Sequence, residues 1–305
     1  MSLIAAEAPL DRAAPAVAAR RGRPAGAAAH ESLLPAAPLA AFFLAFFVAP
    51  LLLLGFVSLH DDVEMTRFGI GQYARFLLDP FSLGVLGHTL LLGLEVTSLC
   101  LVLGYPLAWL FVRSRRGIQP VLIVIIVLPL LTSVVVRTFA WIVILGRQGI
   151  INSVLLSLGL ADTPAGLLYT DGGLVVALAQ VQLPLMTLPI ITSLQRIDPN
   201  FVDASAALGA KAWRTFWRVT LPLSTPGIVA GVLLTYAGAI TALITQTLIG
   251  GGQKLLMPMY IYQQASTLQN WPFAAAIAII FLGAVLAGLS LISLLGRLSR
   301  GAAYA

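Results

Sequence analysis

Two sets of residues in this chain have types and spacings suited to chemistry. Neither is a catalytic constellation. The first set is a carboxylate and a guanidinium, Glu95 and Arg137, each standing inside a long apolar run. A charge in hydrocarbon is costly and ordinarily faces a bundle interior or a water-filled cavity. One reading has Glu95 lining a path for a cationic solute and Arg137 helping an outer gate. The other has them paired with each other, or has Arg137 snorkelling outward. The second set is the polar stretch DASAALG (Asp203 to Gly209), followed by Lys211, Arg214 and Arg218 and closed by Leu221-Pro222. At 100° per residue the three cations share one helical stripe, with Trp213, Phe216 and Thr220 opposite and Trp217 at the flank. Such a helix suits a lipid interface, a topology signal, or a docking element for a soluble partner.

Other chemistries lack their residues. The sequence contains no GxxxxGK[ST] phosphate loop, so ATP binding by that route is excluded. HExxH, paired CxxC and GxSxG are also missing, and no catalytic residue is assigned. His30, His60 and His88 are scattered without ligand-like spacing, so no metal site is expected. The single cysteine, Cys100, cannot form an internal disulfide. The net charge of +6 comes from short basic clusters beside apolar runs, which is how membrane orientation is specified, and nucleic acid is not an expected partner.

The elements that must position these residues follow from composition. Of 305 residues 59% are hydrophobic and 10% charged, with a mean hydropathy of +0.96; soluble domains carry about 25% charged residues. The expectation is an all-α integral membrane protein. A hydrocarbon core about 30 Å thick takes roughly 20 helical residues, and six runs qualify: 36–58, 86–112, 119–145, 173–194, 226–249 and 272–296. Pro50, Pro106, Pro129, Pro184 and Pro189 are expected to kink these helices without ending them. Residues 1–34, rich in Ala, Arg and Pro, read as a disordered tail, and 35–300 as one membrane domain. Arg20-Arg21 also suits a twin-arginine signal, but the later spans favour a retained tail. With the N-terminus inside, thirteen Lys and Arg fall on the cytoplasmic side against four outside, which puts both termini in the cytoplasm. A short surface helix is expected at the end of the outer segment 59–85, and a second within 146–172, ended by Gly159 and Pro164. The longest inward loop, about 195–225, holds the DASAALG stretch. There a helix from Asp203 to Leu208 bends at Gly209, and a second, from about Lys211 to Val219, stops at Leu221-Pro222.

This loop resembles the EAA loop of the membrane subunits of binding-protein-dependent ABC importers. The family pattern is an acid, two small residues, Gly six positions after the acid, and an aliphatic residue before x-Leu-Pro. Here these are Asp203, Ala204, Ser205, Gly209, Val219, Leu221 and Pro222, with Ala207 and Leu208 inside the segment. Asp stands for the usual Glu, with a shorter reach, Ser for the second Ala, and Val for Ile. GYPLAW (Gly104 to Trp109), VVRTFAWIVILGRQGIINSVLLSLG (Val135 to Gly159) and NWPFAAA (Asn270 to Ala276) extend the resemblance to the spermidine/putrescine branch, most like the first of its paired permeases. The resemblance implies a type I importer permease fold of six spans in the bacterial inner membrane. It further implies a cytosolic ATPase dimer that carries ATP and Mg, a second permease forming a heterodimer, and a periplasmic binding protein. This chain itself would hold no cofactor, and its first loop helix would dock into the ATPase. A polyamine is the favoured solute, with opines, phosphonates, thiamine and ferric iron as alternatives within the branch.

Along the path, Thr235, Thr241, Thr245, Gln246 and Thr247 are polar enough to line a passage or a subunit interface, or they bond back to their own helix. Trp141, Tyr236, Tyr260, Tyr262 and Trp271 offer aromatic faces to an ammonium, although Trp271 and Tyr260 suit an interfacial belt and Tyr236 suits bundle packing. A secondary transporter leaves the Gly209 and Leu221-Pro222 spacing unexplained.

Overall fold

The computed structural model describes residues 37–252 and 254–301; the expected tail at 1–34 lies outside the described residues. Among the described residues six helical stretches are long and apolar enough to cross a membrane, one of them Val134–Ser157, which includes a turn at 146–149 and lies later than the expected run 119–145. The chain divides after Leu53 into two compact units. The first holds the start of α1 (Pro38–Ser58), whose large side chains Leu39, Leu44 and Leu52, spread around the helix, are all exposed. A helix apolar all round is suited to lipid.

In the second unit, a short helix α2 (Gly71–Leu78) precedes α3 (Pro80–Arg113), which begins earlier than the expected span. Asp79 caps it, accepting from the Phe81 and Ser82 amides, and Pro80 occupies the first turn, where its missing N–H costs nothing. The third span is one run in the sequence but two helices in the structure: α4 (Gln119–Leu131) and α5 (Val134–Leu145), parted by extended backbone at Thr132 and Ser133. A turn at 146–149 leads to α6 (Ile150–Ser157), which Gly159 ends at φ +66 as expected. Then come α7 (Asp171–Gln195) and α8 (Pro199–Ala207). Next are α9 (Ala212–Thr215), a π-helical turn Phe216–Thr220, and α10 (Leu221–Ile240). After α10 the chain forms α11 (Leu243–Gly250), α12 (Met257–Tyr262) and α13 (Trp271–Gly301). The fifth span therefore also breaks, at Thr241 and Ala242, short of the expected 249.

The expectation that Leu221-Pro222 stops the preceding helix is overturned, and the fifth span does not start afresh at 226; residues 212–240 form one continuous helical stretch. Pro222 cannot donate to the carbonyl of Arg218, and its ring crowds that carbonyl. The chain relieves the conflict by widening: the Leu221 amide bonds to the Phe216 carbonyl, five residues back. The same device precedes Pro50, where the Ala49 amide bonds to the Leu44 carbonyl. Pro106, Pro129, Pro184 and Pro189 likewise lie inside their helices.

The core is the packing of α3, α7 and α10 around Leu92, Val96, Leu178, Met186 and Ile190. Close approach of α10 to α7 depends on Gly227 and Gly231. A Cβ would stand 2.5 Å from the Pro189 carbonyl at the first and 2.8 Å from the Met186 carbonyl at the second. This G-x-x-x-G spacing is a membrane packing signal that lets two backbones meet. A second cluster, Phe76, Tyr260, Phe273 and Ile277, joins α2, α12 and α13, with the Tyr260 hydroxyl 3.0 Å from Ser82 Oγ.

Candidate coupling element and solute path

The DASAALG stretch forms the end of α8, which starts earlier than expected because Asp198 caps it by accepting from the Asn200 amide at 2.9 Å. None of its residues is buried. Asp203, Ala204, Ala207 and Leu208 are exposed, and Ser205 is half-buried. The helix ends in a paired reversal: the Gly209 amide donates to the Ala206 carbonyl at 2.9 Å, and the Ala210 amide to Ser205 at 3.1 Å. This closure needs a left-handed residue, and Gly209 supplies it at φ +76. No atom lies within 4 Å of a Cβ at that position, so backbone conformation alone selects glycine there.

Ser205, where the pattern expects a second alanine, holds the angle of the bend. Its Oγ lies 2.8 Å from Thr215 Oγ1 across the two short helices. Beyond the bend, α9 starts after Lys211, one residue later than expected. Phe216 is the aromatic residue that seats this helix in the bundle, edge-on to Tyr105 at 5.7 Å and Trp109 at 6.1 Å. Trp213 and Trp217 are exposed, so only part of the expected aromatic face is used internally. Leu221 and Pro222 are half-buried within the continuous helix. A 29-residue rod thus runs from the bend to the break at Thr241, about 43 Å long at 1.5 Å per residue.

The path residues separate into two kinds. Glu95 is exposed on α3, 18 residues before Arg113 and so about 27 Å from that end. Arg137 lies on α5, just beyond the break, and the two do not pair: among the described residues the ion pairs are those of Asp171. Arg137 instead bonds through Nη1 to the Pro129 carbonyl and, at 3.2 Å, to Thr132 Oγ1. It thereby helps cap α4, whose Pro129 carbonyl also accepts from Thr132 Oγ1 at 3.1 Å. Gln246 does the same at the other break. Buried at 2% exposure, it donates from Nε2 to the Ala239 carbonyl at 3.0 Å, while its Oε1 has no partner. Thr241 bonds back to Ala237 at 2.7 Å. The second halves, α5 and α11, pack together, with Thr138 Oγ1 3.5 Å from Thr245 Oγ1.

The expected aromatic contacts resolve similarly. Tyr236 is buried in the bundle, and Trp141 donates to Gln180 Oε1 at 3.3 Å, whereas Tyr262 and Trp271 are exposed. One cluster escaped sequence reasoning. Asp171, first residue of α7, takes Lys254 Nζ at 3.0 Å and His88 Nε2 at 3.3 Å. These residues lie 83 positions apart on either side of Asp171, and no local pattern joins them.

An all-helical bundle of membrane-length spans, carrying an unburied two-helix bend on one long rod and broken helices in its interior, is a polytopic membrane subunit of the transport kind. The family model for the inner membrane component of binding-protein-dependent transport systems matches residues 100–300, and the chain belongs to that family. It is a multi-pass inner membrane protein. It is 36% identical over 221 residues, 72% of this chain and 77% of the relative, to the spermidine/putrescine transport system permease protein PotB of Salmonella typhimurium strain SL1344. The molybdenum transport system permease protein ModB of Escherichia coli strain K12 is 32% identical over 221 residues, 70% of this chain and 94% of the relative. In fold, the chain matches a chain of a bacterial alginate ABC transporter crystallised with its pentasaccharide-bound periplasmic protein. The TM-score is 0.71 at 18% identity, covering 90% of this chain and 97% of that one.

Proposed function

We propose that this chain is the permease subunit of an ATP-driven polyamine importer, with α8 as the handle gripped by a cytosolic ATPase. The observation that carries the coupling role is α8 itself, a capped and hinged helix with no buried residue, joined through one bend to a rod that enters the core. Closure of an ATPase dimer would swing α8, and the rod would carry that motion to Thr241. ATP and Mg belong to the ATPase, and this chain holds no cofactor. Both termini and the bend at Gly209 face the cytoplasm, as the distribution of Lys and Arg favours. A related second permease completes a heterodimer, and a periplasmic binding protein delivers the solute.

The polyamine reading draws on the spermidine/putrescine permease relatives and on Glu95. An exposed carboxylate at mid-span is too costly to face lipid. It therefore faces either the solute path or the second permease, and an anionic wall suits a polycation. ModB, at 32% identity, shows why the substrate needs a test: permeases of comparable similarity carry differently named systems. Uptake of labelled spermidine by cells expressing the complete transport operon, with competing putrescine, molybdate or phosphonate, decides it. Polyamines alone should compete. Competition by an anion would overturn the substrate, and wild-type uptake after deletion of the operon's ATPase would overturn the mechanism.

A further inference from the structure

A pocket lies between the end of α3 and the start of α9, beside the contacts by which Phe216 seats the rod. Tyr105 and Trp109 on one side and Trp213 and Phe216 on the other enclose about 360 Å³, and the lining is overwhelmingly apolar. Trp213 is 71% exposed, an expensive position for a large aromatic unless apolar matter covers it. Arg113, the one charged lining residue, holds its guanidinium 4.0 Å over the Trp109 ring. Among the described residues no carboxylate pairs with it. The same holds for Arg115, Arg116, Lys211 and Arg214 nearby in the chain. An aromatic cleft whose lining includes one guanidinium without a carboxylate partner, at the end of a membrane span, is complementary to an amphiphile with an anionic head. A neutral lipid would leave the guanidinium uncompensated, and an acidic peptide would leave the aromatic walls uncovered.

We propose that this pocket binds one anionic phospholipid, an acyl chain lying against Tyr105, Trp109 and Phe216 and the phosphate on Arg113. The proposal rests on the membrane placement of α3 and is independent of what grips α8. Because Phe216 belongs to the rod, the bound lipid would brace the base of the lever.

The test is native mass spectrometry of the full chain with its co-purifying subunits, taken from nanodiscs of equal dioleoyl phosphatidylglycerol and phosphatidylethanolamine. One phosphatidylglycerol should remain per chain. Arg113→Gln should reduce its retention about fivefold or more relative to Arg115→Gln, which removes the same charge outside the pocket. Trp213→Ala, which truncates an exposed side chain, should also release it. Three results overturn the proposal: equal losses in the two arginine variants, equal retention of phosphatidylethanolamine, or retention by the isolated chain that vanishes when the other subunits are bound.

Discussion

Replacing Gly209 isolates the bend from everything around it. At φ +76 an L-residue pays about 1–2 kcal/mol in left-handed backbone strain. A Cβ meets nothing within 4 Å, so there is no clash to add. The helix it terminates buries no residue, so bundle stability should not change. The whole cost then falls on the bent conformation, whose population relative to unbent forms drops about 5–30-fold. Gly209→Ala and Gly209→Leu carry the same backbone cost and differ only in bulk facing outward, so a larger defect in the leucine variant measures how closely a partner covers the bend. Gly209→Asn should recover part of the loss, because asparagine visits this conformation more readily. The assay is labelled spermidine uptake per ATP hydrolysed in proteoliposomes holding the chain and its co-purified subunits. Uptake should fall by up to the same factor while melting temperature and insertion stay at wild type. Wild-type coupling in both alanine and leucine variants would refute the reasoning, as would an asparagine variant no better than alanine.

Other expectations follow from the same geometry. Arg137→Ala strips one cap from α4 and should destabilise the purified chain by about 1–3 kcal/mol, read as a lowered melting temperature. Because Arg137 and Glu95 form no ion pair, a double-mutant cycle with Glu95→Gln and Arg137→Gln should give a coupling energy within about 0.5 kcal/mol of zero; a larger value would mean that they meet. Gly231→Ala forces a Cβ against the Met186 carbonyl and should cost about 1–3 kcal/mol through overpacking, measured by thermal unfolding in detergent. The Asp62 carboxylate is pushed down to about 2, foremost by the Thr66 hydroxyl and then by the Arg67 amide. Its folded value lies below the ordinary one, so its stabilisation is complete above the ordinary carboxylate range and is lost as pH falls toward 2. Hydrogen exchange at the Thr66 and Arg67 amides should therefore stay protected at pH 5 and rise only in stronger acid.

Much of the architecture was legible because hydropathy reports burial in lipid directly. Six runs of sufficient length exist, and the bend at Gly209 follows from a glycine placed after an alanine-rich helix. What hydropathy cannot report is continuity. Thr132-Ser133 and Thr241-Ala242 break their spans without a proline or a charge, because the breaks are sustained by tertiary caps, Arg137 and Gln246, that act from several residues away. Conversely Pro222, a nominal stop, is absorbed by a π-helical turn. Arg137 read as a gate or an ion-pair partner because sequence shows depth but not contacts. The Asp171 cluster needed three distant elements to meet. Gly227 and Gly231 carry a readable signal in their four-residue spacing.

The most direct test of the central claim is cross-linking from α8. Native Cys100 is fully buried, so Ala204→Cys introduces a thiol on the exposed face of α8 with no accessible competitor among the described residues. In membranes containing the complete transport system, a short bismaleimide should join residue 204 to the ATPase subunit, with a yield that changes on adding ATP. Absence of that adduct, or labelling of residue 204 by a membrane-impermeant maleimide from the outer side of intact cells, would contradict the account.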